Sequence, residues 1–116
     1  MKNKPIILVA GEPNSVFLEI FFKAIKRQSY KSPLILICCK KILSDQMRKY
    51  RFKKRLNVLK LNKLNEYKLN NKSINLINIE LQKINKNFNT SSTNKYLTRC
   101  FDLALKLIKA KFAYKL

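Results

Sequence analysis

Two uninterrupted apolar runs, Ile6-Ile7-Leu8-Val9-Ala10 and Leu34-Ile35-Leu36-Ile37-Cys38-Cys39, constrain the fold of this chain more than any other feature. Neither alternates with polar residues, so each reads as a strand covered on both faces, the pattern of a parallel sheet. Between them, Ser15 to Arg27 has a helical period. Ser15, Glu19, Lys23 and Lys26 or Arg27 recur every three to four residues, leaving an apolar face of Val16, Phe17, Ile20, Phe21, Ala24 and Ile25. Glu19 and Lys23 stand at i, i+4 in the favourable order, and Asn14 or Ser15 is the expected N-cap. Strand, helix and strand within about 35 residues form a βαβ unit, which is right-handed.

The remainder is less sharply patterned. Lys40 to Arg51 is predicted as a second helix with Ile42, Leu43 and Met47 inward. Leu56 to Leu61 and Ile74 to Glu80 are weaker strand candidates separated by a polar Lys/Asn stretch, and Gln82 to Thr93 reads as a loop. A long helix follows from Asn94 to the neighbourhood of Lys111. Lys95, Arg99, Asp102, Lys106 and Lys109 make its polar stripe, with Leu97, Phe101, Ala104 and Ile108 opposite. Tyr96, Cys100, Leu103, Leu105 and Leu107 widen the apolar face beyond what contact with half a sheet buries. No repeat and no Pro/Gly-rich linker divides the 116 residues, so positions 1–116 read as one α/β domain or a portion of one.

Twenty-six Lys and Arg against six Asp and Glu give a formal charge of +20. One reading is a polyanion partner, because Lys and Arg attract phosphates and release their counterions. The other is codon bias, since Lys, Asn and Ile, all encoded by A/T-rich codons, are abundant together. Arg is scarce beside Lys, whereas bidentate phosphate and base recognition favours Arg. The candidate polyanion contact is the run containing Arg48, Lys49, Arg51, Lys53, Lys54 and Arg55. Placement near the C-terminal dipole of a solvated helix explains that run as well. The expected nucleic-acid binding is weak and indifferent to sequence. No stretch reaches the roughly 18 to 20 apolar residues that span a bilayer. The apolar run after Met1-Lys2-Asn3-Lys4-Pro5 is too short for a secretory leader. Cys38, Cys39 and Cys100 fit neither a disulfide framework nor a zinc site. A reducing cytoplasm is the expected compartment.

Absences narrow the chemistry further. One glycine excludes a Gly-rich phosphate loop, and zero histidines exclude a Ser-His-Asp triad and any imidazole ligand. The six carboxylates, Glu12, Glu19, Asp45, Glu66, Glu80 and Asp102, are scattered, so no catalytic or metal-binding set is assigned. The thiols read as buried structural groups, with no base nearby to activate them. What remains is the turn Gly11-Glu12-Pro13-Asn14, at the C-terminal end of the first strand, where open α/β sheets hold ligands. These four residues are the candidate cleft lining.

The opening stretch "KPIILVAGEPNSVFLEI" resembles the start of the 4-hydroxythreonine-4-phosphate dehydrogenase family: a basic-flanked strand, a G-[DE]-P turn, then a helix bearing a Glu. Gly11, Glu12, Pro13 and Glu19 occupy those positions. "PLILICCKKILSDQM" is similar to the family's second strand and following helix, and "STNKYLTRCFDLALKLIKAK" to a later long helix. The family continues G-[DE]-P-x-G-x-G-P-E, whereas Ser15, Phe17 and Leu18 replace the two glycines and the proline here. That substitutes a bulky helix start for a turn built for close backbone approach.

The resemblance spans nearly the whole chain but only about the first third of a typical family member. It implies an α/β fold: a partial three-layer α/β/α arrangement with a mostly parallel sheet, of the isocitrate/isopropylmalate dehydrogenase type and truncated. For the full-length family it implies NAD(P)-dependent, divalent-metal-assisted oxidation of 4-phosphohydroxy-threonine in pyridoxal 5'-phosphate biosynthesis, by a dimer. The family's metal-binding histidines and His-Thr pair have no counterpart in this sequence. The chain alone is therefore expected to bind no cofactor and to be inactive. Its expected partners are the missing downstream part of the enzyme or a second copy. The contrasting expectation is a small basic, non-specific nucleic-acid-binding protein.

Overall fold

The computed structural model describes residues 4–13, 16–81 and 90–110. The elements follow in the order β1 (Ile6–Val9), α1 (Phe17–Arg27), β2 (Leu34–Cys38), α2 (Lys40–Lys49), β3 (Leu56–Val58), a 3₁₀ helix (Leu61–Glu66), β4 (Ile74–Asn78) and α3 (Thr90–Lys109). The strands form one four-stranded sheet in the order β1-β2-β4-β3. Every pairing is parallel, with Leu8 beside Leu36, and Leu36 and Val58 both beside Leu76. The two apolar runs are therefore neighbouring parallel strands, as their pattern requires.

Connection geometry distributes the helices. β1 to β2 and β2 to β3 advance in the same direction across the sheet, so right-handed crossovers place α1 and α2 on one face. Those two helices touch each other. Ile6, Leu8 and Leu34 line a groove with Phe17 and Phe21 of α1. By the alternation of the pleat, Ile7, Val9 and Ile35 face the other side, where α3 packs on β1 and β2. Helices thus cover both faces of a parallel sheet, which is the three-layer expectation. Its centre is completely buried, with Ile7, Ile35, Ile37, Leu43 and Leu76 all at 0% exposure.

Several boundaries differ from the sequence reading. The expected caps Asn14 and Ser15 lie outside the described residues. The N-cap position of α1 is Val16, whose side chain has no oxygen to cap with. Helix α2 stops at Lys49, and the strand expected over Leu56 to Leu61 is three residues long and gives way to the 3₁₀ helix. Helix α3 begins at Thr90, within the segment read as a loop; the rest of that segment, 82–89, and position 111 lie outside the described residues.

The buried faces are also rotated from the expected ones. α1 buries Leu18, Phe21 and Phe22, while Val16 and Ile20 remain 62% and 59% exposed. α3 buries Tyr96, Cys100, Ala104 and Leu107 and leaves Phe101 and Leu105 about half exposed, at 46% and 48%. Both helices are apolar around more of their circumference than one sheet contact covers, so the stripe of polar residues alone did not locate the buried side. For α2 the expectation holds, since Ile42, Leu43 and Met47 are buried.

Helix α2 ends in a Schellman arrangement. Phe52 N–H donates to Met47 O at 2.9 Å and Arg51 N–H to Arg48 O at 3.2 Å. The turn needs a left-handed residue, and Arg51 supplies it at φ 53°. It directs Phe52 beneath α1, where its ring stacks on Phe22 with centroids 4.8 Å apart. A β-carbon is strained at such φ, and glycine is not. Arg51→Gly is therefore expected to raise stability by about 0.5–1 kcal/mol, after allowing for the looser unfolded chain. Gly11→Ala should lower it by about 1 kcal/mol. Gly11 has φ +78°, with nothing within 4 Å of an added Cβ, so the cost there is purely of the backbone. Opposite shifts of the urea midpoint check both.

Candidate functional site

The turn after β1 forms because Ala10 N–H still donates to Ile37 O at 3.2 Å, after which Gly11 takes positive φ and breaks the ladder. Pro13 is buried, Gly11 half-buried and Glu12 exposed; Asn14 lies outside the described residues. Among the described residues Glu12 has no ion-pair partner, whereas Glu19 meets Lys23 at 3.5 Å as its i, i+4 spacing predicts.

Beside this turn is the end of β2 and the start of α2, a helix N-terminus of the kind that binds anions in α/β proteins. Its first amides are taken by the chain itself. Cys39 N–H donates to the Tyr96 hydroxyl at 2.8 Å, and Lys40 N–H donates to Asn78 Oδ1 at 2.8 Å. Asn78 closes β4, and Tyr96 reaches across from α3. They fill the crevice where the sheet's connections diverge to opposite faces, the usual ligand position. The sequence showed Tyr96 only as part of a wide apolar face. A tyrosine four residues before a cysteine in such a face is the one available signal of a buried polar pairing.

Around that hydroxyl lie the thiols. Cys38, Cys39 and Cys100 are free and buried, as their apolar surroundings suggested. The Cys38 thiol donates to Cys39 O at 3.5 Å. Burial pushes Cys38 up to about 12 and Cys100 up to about 11, and raises the Tyr96 hydroxyl as well. These are protonated groups, the opposite of an activated nucleophile. Among the described residues no three of Cys, Asp and Glu converge on a point that could hold a metal ion.

The basic run is divided by the fold. Arg48 and Lys49 end α2, Arg51 makes its reversal, and Lys53 and Arg55 lead into β3, all of them exposed. Lys54 is half-buried and points into a different feature, a cleft of about 370 Å³ at the N-terminal ends of β2 and β4. A second groove, of about 380 Å³, is lined almost wholly by apolar residues of β1 and α1. Neither cavity includes Gly11, Glu12 or Pro13. The structure does not bring the turn and the basic run into one site. No helix among the described residues is long and apolar enough to cross a membrane.

The buried cluster makes stability sensitive to alkali. Unfolded thiols release their protons near 9.0, whereas Cys38 and Cys100 keep theirs to about 12 and 11. Above pH 9 the unfolded state binds fewer protons than the folded state, so this contribution is complete below pH 9 and lost as pH rises toward 12. Urea midpoints between pH 8 and 11 should fall more steeply for the wild type than for Cys100→Ala. All other groups are common to both chains, so their contribution cancels in the comparison.

No protein-family model matches the chain, and no curated protein matches it by sequence. Solved structures do. A 4-hydroxythreonine-4-phosphate dehydrogenase from Burkholderia phymatum superposes with a TM-score of 0.74 at 14% identity, covering 96% of this chain and 34% of that one. The 4-hydroxythreonine-4-phosphate dehydrogenase from Klebsiella pneumoniae gives 0.75 at 18% identity, covering 96% and 35%. The chain thus has the fold of part of these dehydrogenases and spans about a third of their length, in agreement with the resemblance read from "GEP" and its flanking strand and helix.

Proposed function

We propose that this chain supplies one wall of the substrate cleft of a 4-hydroxythreonine-4-phosphate dehydrogenase-type enzyme and has no turnover by itself. The observation that carries this reading is the superposition over 96% of the chain but only about a third of the dehydrogenases. The turn Gly11-Glu12-Pro13-Asn14 would line the cleft at the C-terminal end of β1, with the reacting groups contributed by the remaining part of the enzyme. NAD(P) and a divalent metal belong to that assembled enzyme. This chain's own donor set does not fit the metal, because it has no histidine and its six carboxylates do not cluster. Support also comes from the surface. Val16 and Ile20 stand exposed beside the apolar groove, and Phe101 and Leu105 stand exposed on α3. Adjoining structure would bury such faces, and left open they favour association.

The purified chain is expected to show no oxidation of 4-phosphohydroxy-threonine with NAD or NADP and a divalent cation, and to be oligomeric or poorly soluble. Coexpression with the remaining two thirds of such a dehydrogenase should restore solubility. Turnover by the chain alone, or a soluble monomer with a sharp two-state melt and no dye-accessible apolar surface, would overturn the proposal.

A second reading, non-specific polyanion binding, has one favouring observation: Arg48, Lys49, Arg51, Lys53 and Arg55 are all exposed in a chain of charge +20. Counterion release then makes binding to DNA or RNA steeply salt-dependent. Nothing in the run provides an element for reading base edges. Competition binding at physiological salt should show little preference among sequences. Discrimination beyond about a hundredfold would instead mark a dedicated nucleic-acid-binding protein.

A further inference from the structure

We infer that the cleft at the N-terminal ends of β2 and β4 binds a small organic anion with an apolar body, an aryl or branched-acyl phosphate or carboxylate. It lies at the end of the sheet opposite the Gly11 turn and is independent of the dehydrogenase reading. Its volume of about 370 Å³ falls in the range of ligand pockets.

The lining is divided in a way that suits an amphiphile. Phe21, Ile25 and Leu36 give an apolar floor, while Lys54 and Lys72 bring two ammonium groups and no carboxylate lines the cavity. Among the described residues neither ammonium group has a hydrogen-bond or ion-pair partner, although Lys54 is half-buried. An anion would give both a partner, and their combined charge exceeds the roughly half-charge at the C-terminal end of α1.

The walls are also braced. Asn71 Oδ1 accepts from Leu34 N–H at 2.8 Å, and its Nδ2 donates to Tyr30 O at 3.2 Å and Ser32 O at 2.9 Å. Asn75, 2% exposed, donates through Nδ2 to Leu34 O at 3.0 Å and Asn70 O at 2.8 Å, and accepts from Asn57 Nδ2 at 3.1 Å. These bonds tie the loop entering β2 to the turn entering β4. The cavity between them is therefore held open by satisfied polar groups and needs little reorganisation on binding.

Saturation-transfer NMR titrations of the full chain with phenyl phosphate, benzoate, benzyl alcohol and inorganic phosphate test the assignment. Saturable binding of phenyl phosphate or benzoate is expected, and their ratio identifies the preferred head group. Benzyl alcohol and inorganic phosphate should each bind at least tenfold more weakly. Lys54→Met with Lys72→Met should weaken the anion at least tenfold. Lys106→Met with Lys109→Met, which removes the same net charge elsewhere, should change affinity less than twofold. Ser29→Trp at the exposed rim should block binding while circular dichroism stays unchanged, giving a second variant that leaves the core intact. Equal binding of benzyl alcohol or inorganic phosphate, equal loss in both lysine pairs, unaltered binding in Ser29→Trp, or no saturable binding overturns the inference.

Discussion

Everything in this fold is organised around β2, which is paired on both edges and covered on both faces. Ile35, Leu36 and Ile37 are at most 1% exposed, between β1 on one side and β4 on the other. A strand in that position has no solvent direction for any side chain, so each residue must be apolar or, like Asn75 on the equally enclosed β4, supplied with hydrogen-bond partners. Its two ends then set the rest. The N-terminal end is anchored by Asn71 and Asn75, and the C-terminal end passes directly into α2, with Cys39 as the N-cap residue.

This dependence explains which parts were legible in the sequence. β1 and β2 could be read because complete burial leaves an unmistakable uninterrupted apolar run. α2 was legible because its apolar residues are few and all of them go inward. β3 lies at the sheet edge and pairs only with β4, so a three-residue strand suffices and the pattern marking it is faint. For α1 and α3 the opposite problem arises, since apolar residues surround most of each helix. Periodicity could then place the polar stripe but not choose between Phe22 and Ile20 as the buried residue. Stacking of Phe22 on Phe52 decides it, and that contact depends on the reversal at Arg51, about thirty positions along the chain.

The candidate turn shows a similar division. Gly11 was recognisable because a lone glycine after an apolar run marks a strand end, and its positive φ gives the physical reason for it. The neighbouring crevice could not be anticipated. Its closure depends on Tyr96 and Asn78, which reach the α2 N-terminus from distant elements. A hydroxyl inside an apolar helical face and an asparagine at a strand end look ordinary until the topology places them together.

The asparagines that inflate the polar content of the chain also divide its two ends by function. Asn78 accepts from a helix amide and so removes an anion-binding donor at the C-terminal end of the sheet. Asn71 and Asn75 instead satisfy backbone groups of two neighbouring loops at the other end, and the space between those loops is lined by Lys54 and Lys72, which have no side-chain partner among the described residues. Whatever bias put Lys and Asn into the sequence, folding has sorted them. Asn75 takes an interior position where its amide meets both donors and acceptors, Asn71 a half-buried one, and Lys54 and Lys72 line the cleft beside them. At the Asn71 and Asn75 end the backbone polar groups are satisfied from within, which leaves the two ammonium groups of the cleft to an external anion.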